Sequence, residues 1–266
     1  GKKDLENGVI NFIGEPSKRI NEDYLRILRY LRFFLCYSKK SHNSEIIRSI
    51  KINLDGISKL SKERLLDELK KFFKIEILEK LSKDKLCLEL ILVIFPELRN
   101  IKIFSKLDTY KKNILKDKDF IFLLSLMIID DTDNVDYFLY RFNISKKDQK
   151  RIKNIDNFYK DKISIKTLTE NNMNKIFYFY GKETIVDIID FKLIKLKKLD
   201  SSLKELRKYY ESKDMPTMPV TADFLMKKYK ISEGRQLGEK LKMIEKEWIK
   251  NNFKISDQQI DNIFNN

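Results

Sequence analysis

Between Arg19 and Arg32 the chain sets carboxylates and guanidinium groups at intervals that a helix would gather on one side. Glu22 and Asp23 are followed by Arg26, Arg29 and Arg32 at three-residue steps. At roughly 100° per residue, Tyr24, Ile27, Leu28, Leu31 and Leu35 share one apolar face, and Asp23 and the three arginines wind along the other. A helix anchored by the apolar face would present a carboxylate and three guanidinium groups together. The carboxylate accepts from an amino group, and each guanidinium donates in a planar fork that keeps its charge. Such an array can read the edge of a nucleobase and hold phosphates. The same spacing also fits a solvated face carrying weak ion pairs, so the surrounding residues matter.

The wider run Phe12–Phe34, FIGEPSKRINEDYLRILRYLRFF, resembles the motif of the class II tRNA nucleotidyltransferases, the CCA-adding enzymes and their bacterial poly(A) polymerase relatives. In that family a Gly-Asp-Pro turn, an Arg-Ile pair and EDxLRxLRxxRF occur in this order. Here the turn is Gly14-Glu15-Pro16, and Arg19-Ile20 supplies the pair. The resemblance implies that Asp23 and Arg26 pair with the incoming base as a protein template. It implies that Arg29 and Arg32 complete the nucleotide site by orienting Asp23 or touching phosphate. A second resemblance covers Ile57–Leu69, ISKLSKERLLDEL, in which a serine precedes an ERI-like turn with Leu65 in place of isoleucine. In the family this helix buttresses the base-reading one. Glu22, Glu63, Arg64 and Glu68 are accordingly expected to support the site, and Arg64 and Glu68, four residues apart, can pair.

Gly1-Lys2-Lys3-Asp4-Leu5 is similar to the GxxDL element that links the family's catalytic head to its neck. The head would carry a Gly-Gly turn, a DxD metal site and an Arg-Arg-Asp segment, and no candidate set lies near residue 1. Two-metal phosphoryl transfer needs carboxylates holding ions about 3.5–4 Å apart. The expectation is therefore a chain without catalytic residues of its own, inactive alone, whose head is supplied covalently or in trans and binds Mg²⁺. The resemblance implies that the complete enzyme extends tRNA 3′ ends from CTP and ATP, this part selecting the base and binding tRNA. Poly(A) addition by the same fold, or a non-catalytic RNA-binding remnant, is the alternative.

A length of 266 residues with seven glycines and four prolines allows a substantial core with few breaks. Between Pro96 and Pro216 the one such breaker is Gly181. An all-α array is expected, elongated into neck, body and tail, with a short extended segment at the N-terminus. The formal charge of +15, from 55 basic and 40 acidic residues, favours a polyanionic partner. Cys36 and Cys87 are too few and too far apart to suggest a metal site, and the single histidine, His42, lies in a polar SHNS loop. Serine-triad chemistry and His-rich metal ligation are excluded on these counts, and reduced thiols in a cytoplasmic protein are expected. The longest apolar run, Phe120–Ile129, is about half the roughly 20 residues that span a bilayer, so no membrane role is expected.

The expected division is a remnant of the head–neck hinge at 1–14, a base-recognising neck at 15–75, a helical body at 76–205 and a tRNA-binding tail at 206–266. Pro16 opens a neck helix that runs to about Ser38. A short helix over Glu45–Asn53, a break at Gly56 and a helix capped by Ser61 follow. Further helices are expected at Glu76–Leu81, Lys85–Phe95, Ile101–Thr109, Phe120–Ile129 and Val135–Phe142. Asp130–Asp136, DDTDNVD, lacks the glycine and distal glutamate of a calcium loop, and Asp133 or Asn134 is read as a helix cap. The run Phe142–Lys147 resembles the family's LRLSNK turn. Aromatic residues at 158–159, 177–180 and 209–210 read as core.

Met215–Asn266 resembles the family's bacterial tail, which reads P-x-x-G-x-D-L, then G-x-x-L-G-x-x-L, then W-I. Here Pro219–Leu225, Gly234–Leu241 and Trp248-Ile249 match, with Ala222, Phe224 and Arg235 departing from the pattern. Gly234 and Gly238 are expected to admit a phosphate or a neighbouring helix. Lys227, Lys228, Lys230, Arg235, Lys240 and Lys242 surround them as the expected RNA-binding residues, since the resemblance implies that this tail holds the elbow of tRNA.

Overall fold

A computed structural model describes residues 1–160, 170–198 and 200–265. The chain divides into two compact units, Gly1–Lys160 and Asp161–Asn266, the division falling within the stretch 76–205. Every regular element among the described residues is helical.

The first unit begins with α1 (Lys2–Asn7). This corrects the expected extended segment. Lys, Asp, Leu and Glu are ordinary helix formers, and Gly8 at φ 62° stops the helix while the Val9 N–H returns to the Asp4 carbonyl at 2.8 Å. The expected neck helix is two helices, α2 (Pro16–Glu22) and α3 (Leu25–Tyr37). Next come α4 (Ser44–Ile52), capped by Asn43, a 3₁₀ segment Leu54–Lys59, and α5 (Lys62–Lys70), whose Arg64 N–H is accepted by the Ser61 hydroxyl. Helices α6 (Ile75–Lys83) and α7 (Lys85–Ile94) precede a second 3₁₀ segment, Ile101–Lys106. Helix α8 (Thr109–Lys116) starts where the expected 101–109 helix would have ended, because the Asp108 carboxylate accepts from Lys111 N–H and begins a new element.

Helix α9 (Phe120–Ile128) lies at the centre of this unit, buried from Ile121 to Ile128. Its lack of a polar face requires neighbours on all sides. Those include α10 (Asn134–Arg141), α11 (Lys146–Lys160) and the second 3₁₀ segment. Each fully buried aliphatic or aromatic side chain here contributes about 1.5–3 kcal/mol. Asp130 accepts from Thr132 and Arg99, and buried Asn134 donates to the carbonyls of Glu97 and Ile128. The acidic run is thus tied into the chain. Asp133 occupies the cap position without a side-chain cap bond.

The second unit contains α12 (Glu170–Lys195), broken by Gly181 at φ 86°, then α13 (Ser201–Ser212), α14 (Ala222–Tyr229), α15 (Arg235–Lys250) and α16 (Asp257–Asn265). Val220, Leu225, Leu237, Ile244 and Ile260 form a small core joining the last three helices. Four successive aromatics at 177–180 cannot all face inward on one helix. Phe177 and Tyr210 are buried, but Phe179, Tyr180 and Tyr209 are exposed, which corrects the core assignment for these three. No described helix is long and apolar enough to cross a membrane.

Candidate nucleotide and RNA site

Asp23 sits at the junction of α2 and α3, not within a helix, with extended backbone at φ −157° and ψ 104°. Its N–H closes α2 on the Ile20 carbonyl, and its own carbonyl accepts from Arg26 N–H at 3.0 Å. The carboxylate accepts from Leu25 N–H at 3.1 Å, placing negative charge at the start of α3. The neighbouring Tyr24 holds the junction in place. A Cβ added to Gly56 would lie 2.0–2.3 Å from Tyr24 ring atoms, so only glycine admits the ring against the first 3₁₀ segment. Helix α3 buries Leu25, Ile27, Leu28, Tyr30, Leu31 and Leu35, leaving Arg26, Arg29 and Arg32 on its polar side as the spacing predicts.

The charges form two linked groups. In one, Arg64 Nη2 donates to both Asp23 oxygens at 3.0 and 3.1 Å. Arg29 bridges onward, 3.8 Å from Asp23 and 3.8 Å from Glu68. Arg32 Nε donates to Glu68 at 2.8 Å, and Lys71 donates to its other oxygen at 2.8 Å. In the second group Arg26 Nη1 donates to Glu22 and to the Arg19 carbonyl, both at 2.8 Å, and Arg19 donates to Glu22 at 2.6 Å. The expected pair between Arg64 and Glu68 does not form, because each faces a partner on the neck instead. Glu63 is exposed in the first turn of α5.

Burial separates the carboxylates. Glu68 is 1% exposed. Burial alone would raise its carboxyl, but the hydrogen bonds from Lys71 and Arg32 outweigh that and hold it below the usual glutamate range. Asp23 keeps 21% of its side chain exposed, and Arg29 keeps 42%. The Arg26 hydrogen bond, joined by Arg19, lowers the carboxyl of exposed Glu22. Six cationic side chains surround three carboxylates, an excess suited to an anionic ligand.

In the tail, Thr221 caps α14 by accepting from Phe224 N–H at 3.2 Å. A Cβ at Gly234 or Gly238 would meet nothing within 4 Å, so neither glycine serves close packing with another helix. Of the six expected RNA-binding residues, three are already engaged. Lys228 pairs with Asp261 at 2.9 Å, Arg235 with Glu239 at 2.8 Å, and Lys240 donates to the Ile263 carbonyl. The hydrogen bond to Asp261, with that to Tyr229, pushes the Lys228 ammonium up to about 12. Lys227, Lys230 and Lys242 are exposed without an ion pair among the described residues. Lys242 shares a groove with Lys175, Lys246, Lys250 and the exposed Phe179. Composition gave no hint of that groove, since its walls come from helices about 70 residues apart.

No protein-family model matches the chain. Individual proteins do. Over 267 residues the chain is 28% identical to the mitochondrial CCA tRNA nucleotidyltransferase 1 of Mus musculus, covering 98% of this chain and 59% of that protein. Over 283 residues it is 26% identical to the CCA-adding enzyme of Ligilactobacillus salivarius, covering 98% of this chain and 63% of that protein. Its fold matches the Bacillus stearothermophilus CCA-adding enzyme in complex with CTP, with a TM-score of 0.64 and 17% identity, over 100% of this chain and 67% of that one. The chain thus spans about three-fifths of the length of the curated relatives it matches.

Proposed function

We propose that this chain, which belongs to the class II tRNA nucleotidyltransferase family, supplies base selection and tRNA binding to an enzyme that adds C, C and A to tRNA 3′ ends from CTP and ATP. The observation that carries this reading is the placing of Asp23 at a helix junction with Arg64 and Arg29 on its carboxylate, while Arg26 and Arg32 stand on the same polar side of the following helix. Asp23 and Arg26 both retain unused hydrogen-bonding capacity. Arg26 spends one of its nitrogens on Glu22 and the Arg19 carbonyl, and a guanidinium has five N–H donors in all. Cytosine and adenine each pair an amino donor with a ring acceptor, matching a carboxylate and a guanidinium. Guanine and uracil would set donor against donor or acceptor against acceptor, leaving polar groups unpaired at about 1–3 kcal/mol each.

Residues 15–75 act in this reading as the neck, 76–205 as the body and 206–266 as the tail, with 1–14 next to the head. Lys227, Lys230 and Lys242, aided by Lys228, Arg235 and Lys240, hold the tRNA backbone. The phosphoryl-transfer chemistry needs Mg²⁺ on oxygen ligands. Among the described residues, the group of three donors close enough to share an ion is His42, Asp84 and Cys87, whose nitrogen and sulfur do not suit Mg²⁺. In this proposal the metal-binding carboxylates are supplied by the catalytic head of the complete enzyme. Poly(A) addition is the variant with the same residues. A cytoplasmic setting accords with Cys36 and Cys87 remaining unpaired thiols.

The test supplies a catalytic head, by fusion or in trans, and measures incorporation of CTP, ATP, UTP and GTP into tRNA lacking its 3′ end. Asp23→Ala and Arg26→Ala should each abolish discrimination among the four. Unchanged selectivity in both variants would overturn the proposal, and repeated A addition alone would move it to poly(A) synthesis. No activity in the wild-type assembly, with tRNA still bound, would favour the non-catalytic reading.

A further inference from the structure

We infer that His42, Asp84 and Cys87 form a binding site for one zinc-like divalent ion, joining the loop after α3 to the first turn of α7. His42 Nε2 lies 3.2 Å from Asp84 Oδ2 and 3.8 Å from Cys87 Sγ. All three donor atoms fall within 4.8 Å of one another. A tetrahedron with metal–ligand bonds of about 2.0–2.3 Å has edges of about 3.3–3.8 Å. The two edges at His42 already match, and the Asp84–Cys87 edge, within 4.8 Å, would close by at most about 1–1.5 Å. Nitrogen, oxygen and sulfur together select zinc or cobalt over magnesium or calcium.

The surroundings hold the donors ready. The His42 ring stacks on Phe34 at 3.5 Å and 15°, which fixes its plane. Asp84 Oδ1 accepts from Cys87 N–H at 2.8 Å, which holds the carboxylate with both oxygens toward His42 Nε2, at 3.3 and 3.2 Å. Cys87 is fully buried, whereas His42 and Asp84 keep 16% and 26% of their side chains exposed. An ion would thus enter from the solvent side and keep a water as its fourth ligand. Binding breaks the Cys87 S–H bond, forms a sulfur–metal bond and releases the proton to the buffer. Burial and the Asp84 carboxylate push the free thiol up, so the metal must supply the charge that stabilises the thiolate. Counting cysteines along the sequence could not reveal this set, because Cys87 meets a histidine and an aspartate and not Cys36.

The experiment titrates the full chain, reduced and stripped of metal by a chelator, with Co²⁺ as an optical probe. We expect a thiolate-to-cobalt charge-transfer band that saturates at one equivalent and disappears on adding Zn²⁺. Cys36→Ser should keep the band. Cys87→Ser should lose it while retaining helical circular dichroism, and His42→Gln should weaken cobalt binding by at least about tenfold. A folded wild-type chain with no such band would overturn the inference, as would a band that survives Cys87→Ser. Should Cys87→Ser fail to fold, the wild-type titration and Cys36→Ser still decide, since a band lost in Cys36→Ser would move the thiolate to the wrong cysteine.

Discussion

Removing the Glu68 carboxylate tests whether the arginine ladder depends on one buried anchor. Glu68 receives hydrogen bonds from Arg32 and Lys71 and lies 3.8 Å from Arg29. Breaking a buried ion pair by deleting one partner costs about 3–5 kcal/mol. Here Lys71 is about half exposed and can rehydrate, while Arg32 is only 18% exposed and would lose its charged acceptor. The expected loss for Glu68→Ala is accordingly about 2–3 kcal/mol, below the fully buried case. For a unit of this size that lowers the melting temperature by about 4–12 °C. The pH dependence has a definite sign. Since the folded carboxyl is held below the unfolded value of about 4.3, its stabilisation is complete above that value and is lost as pH falls through the folded pKa. Urea unfolding followed by circular dichroism at pH 7 and down to pH 3 measures both effects. Wild type should be more stable than Glu68→Gln at pH 7, with the gap narrowing below about pH 4. Equal midpoints at pH 7, or a gap that does not change with pH, would refute the assignment of Glu68 as the ionised anchor.

Gly56→Ala should destabilise the first unit by about 1–3 kcal/mol through the forced displacement of Tyr24; thermal melts check this, and Tyr24→Ala should remove most of the extra cost in a double-mutant cycle. Arg64→Met, which leaves Asp23 its bond to Leu25 N–H, should cost less than about 1 kcal/mol because Arg64 is half exposed. In the reconstituted enzyme the same variant should weaken selectivity by letting the Asp23 carboxylate rotate, which competition between CTP and UTP would detect. Replacing Lys227, Lys230 and Lys242 together by glutamine should lower tRNA affinity and reduce the salt slope of log K by about 2–3, measured by filter binding over a salt series.

The helices were legible wherever apolar periodicity and cap residues agreed. Ser61, Thr221 and the apolar run 120–128 are placed as their sequence implies, because cap bonds and burial patterns are local. The absence of glycine and proline from 17–38 predicts a single neck helix. Asp23 carries the opposing local signal: an aspartate two residues before Leu25 can accept its N–H and start a new helix. Asp108 gave the same signal before α8. The long-range partners were not legible at all. Arg64 reaches Asp23 across 41 residues and His42 meets Cys87 across 45, distances over which only tertiary packing decides who meets whom.

The break at Asp23 alters what the acid can do. Within a continuous helix its carboxylate would be one more group on a solvated face, competing for the nearest arginine at i+3. At the junction, extended backbone turns it toward Arg64 and Arg29, and Arg26 is left to Glu22. Burial then divides the work among like groups. Glu68, almost wholly enclosed, holds Arg32 of α3 and Lys71 at the end of α5 in place. Asp23 keeps open surface and an arginine partner that is itself half exposed, so a ligand amino group can take up a lone pair without unburying any charge. Arg29 makes only looser contacts, at 3.8 Å to each carboxylate, and in the proposed nucleotide site it is the arginine that turns toward phosphate. One sequence motif thereby supplies a rigid layer and a responsive layer, and environment rather than residue type separates them.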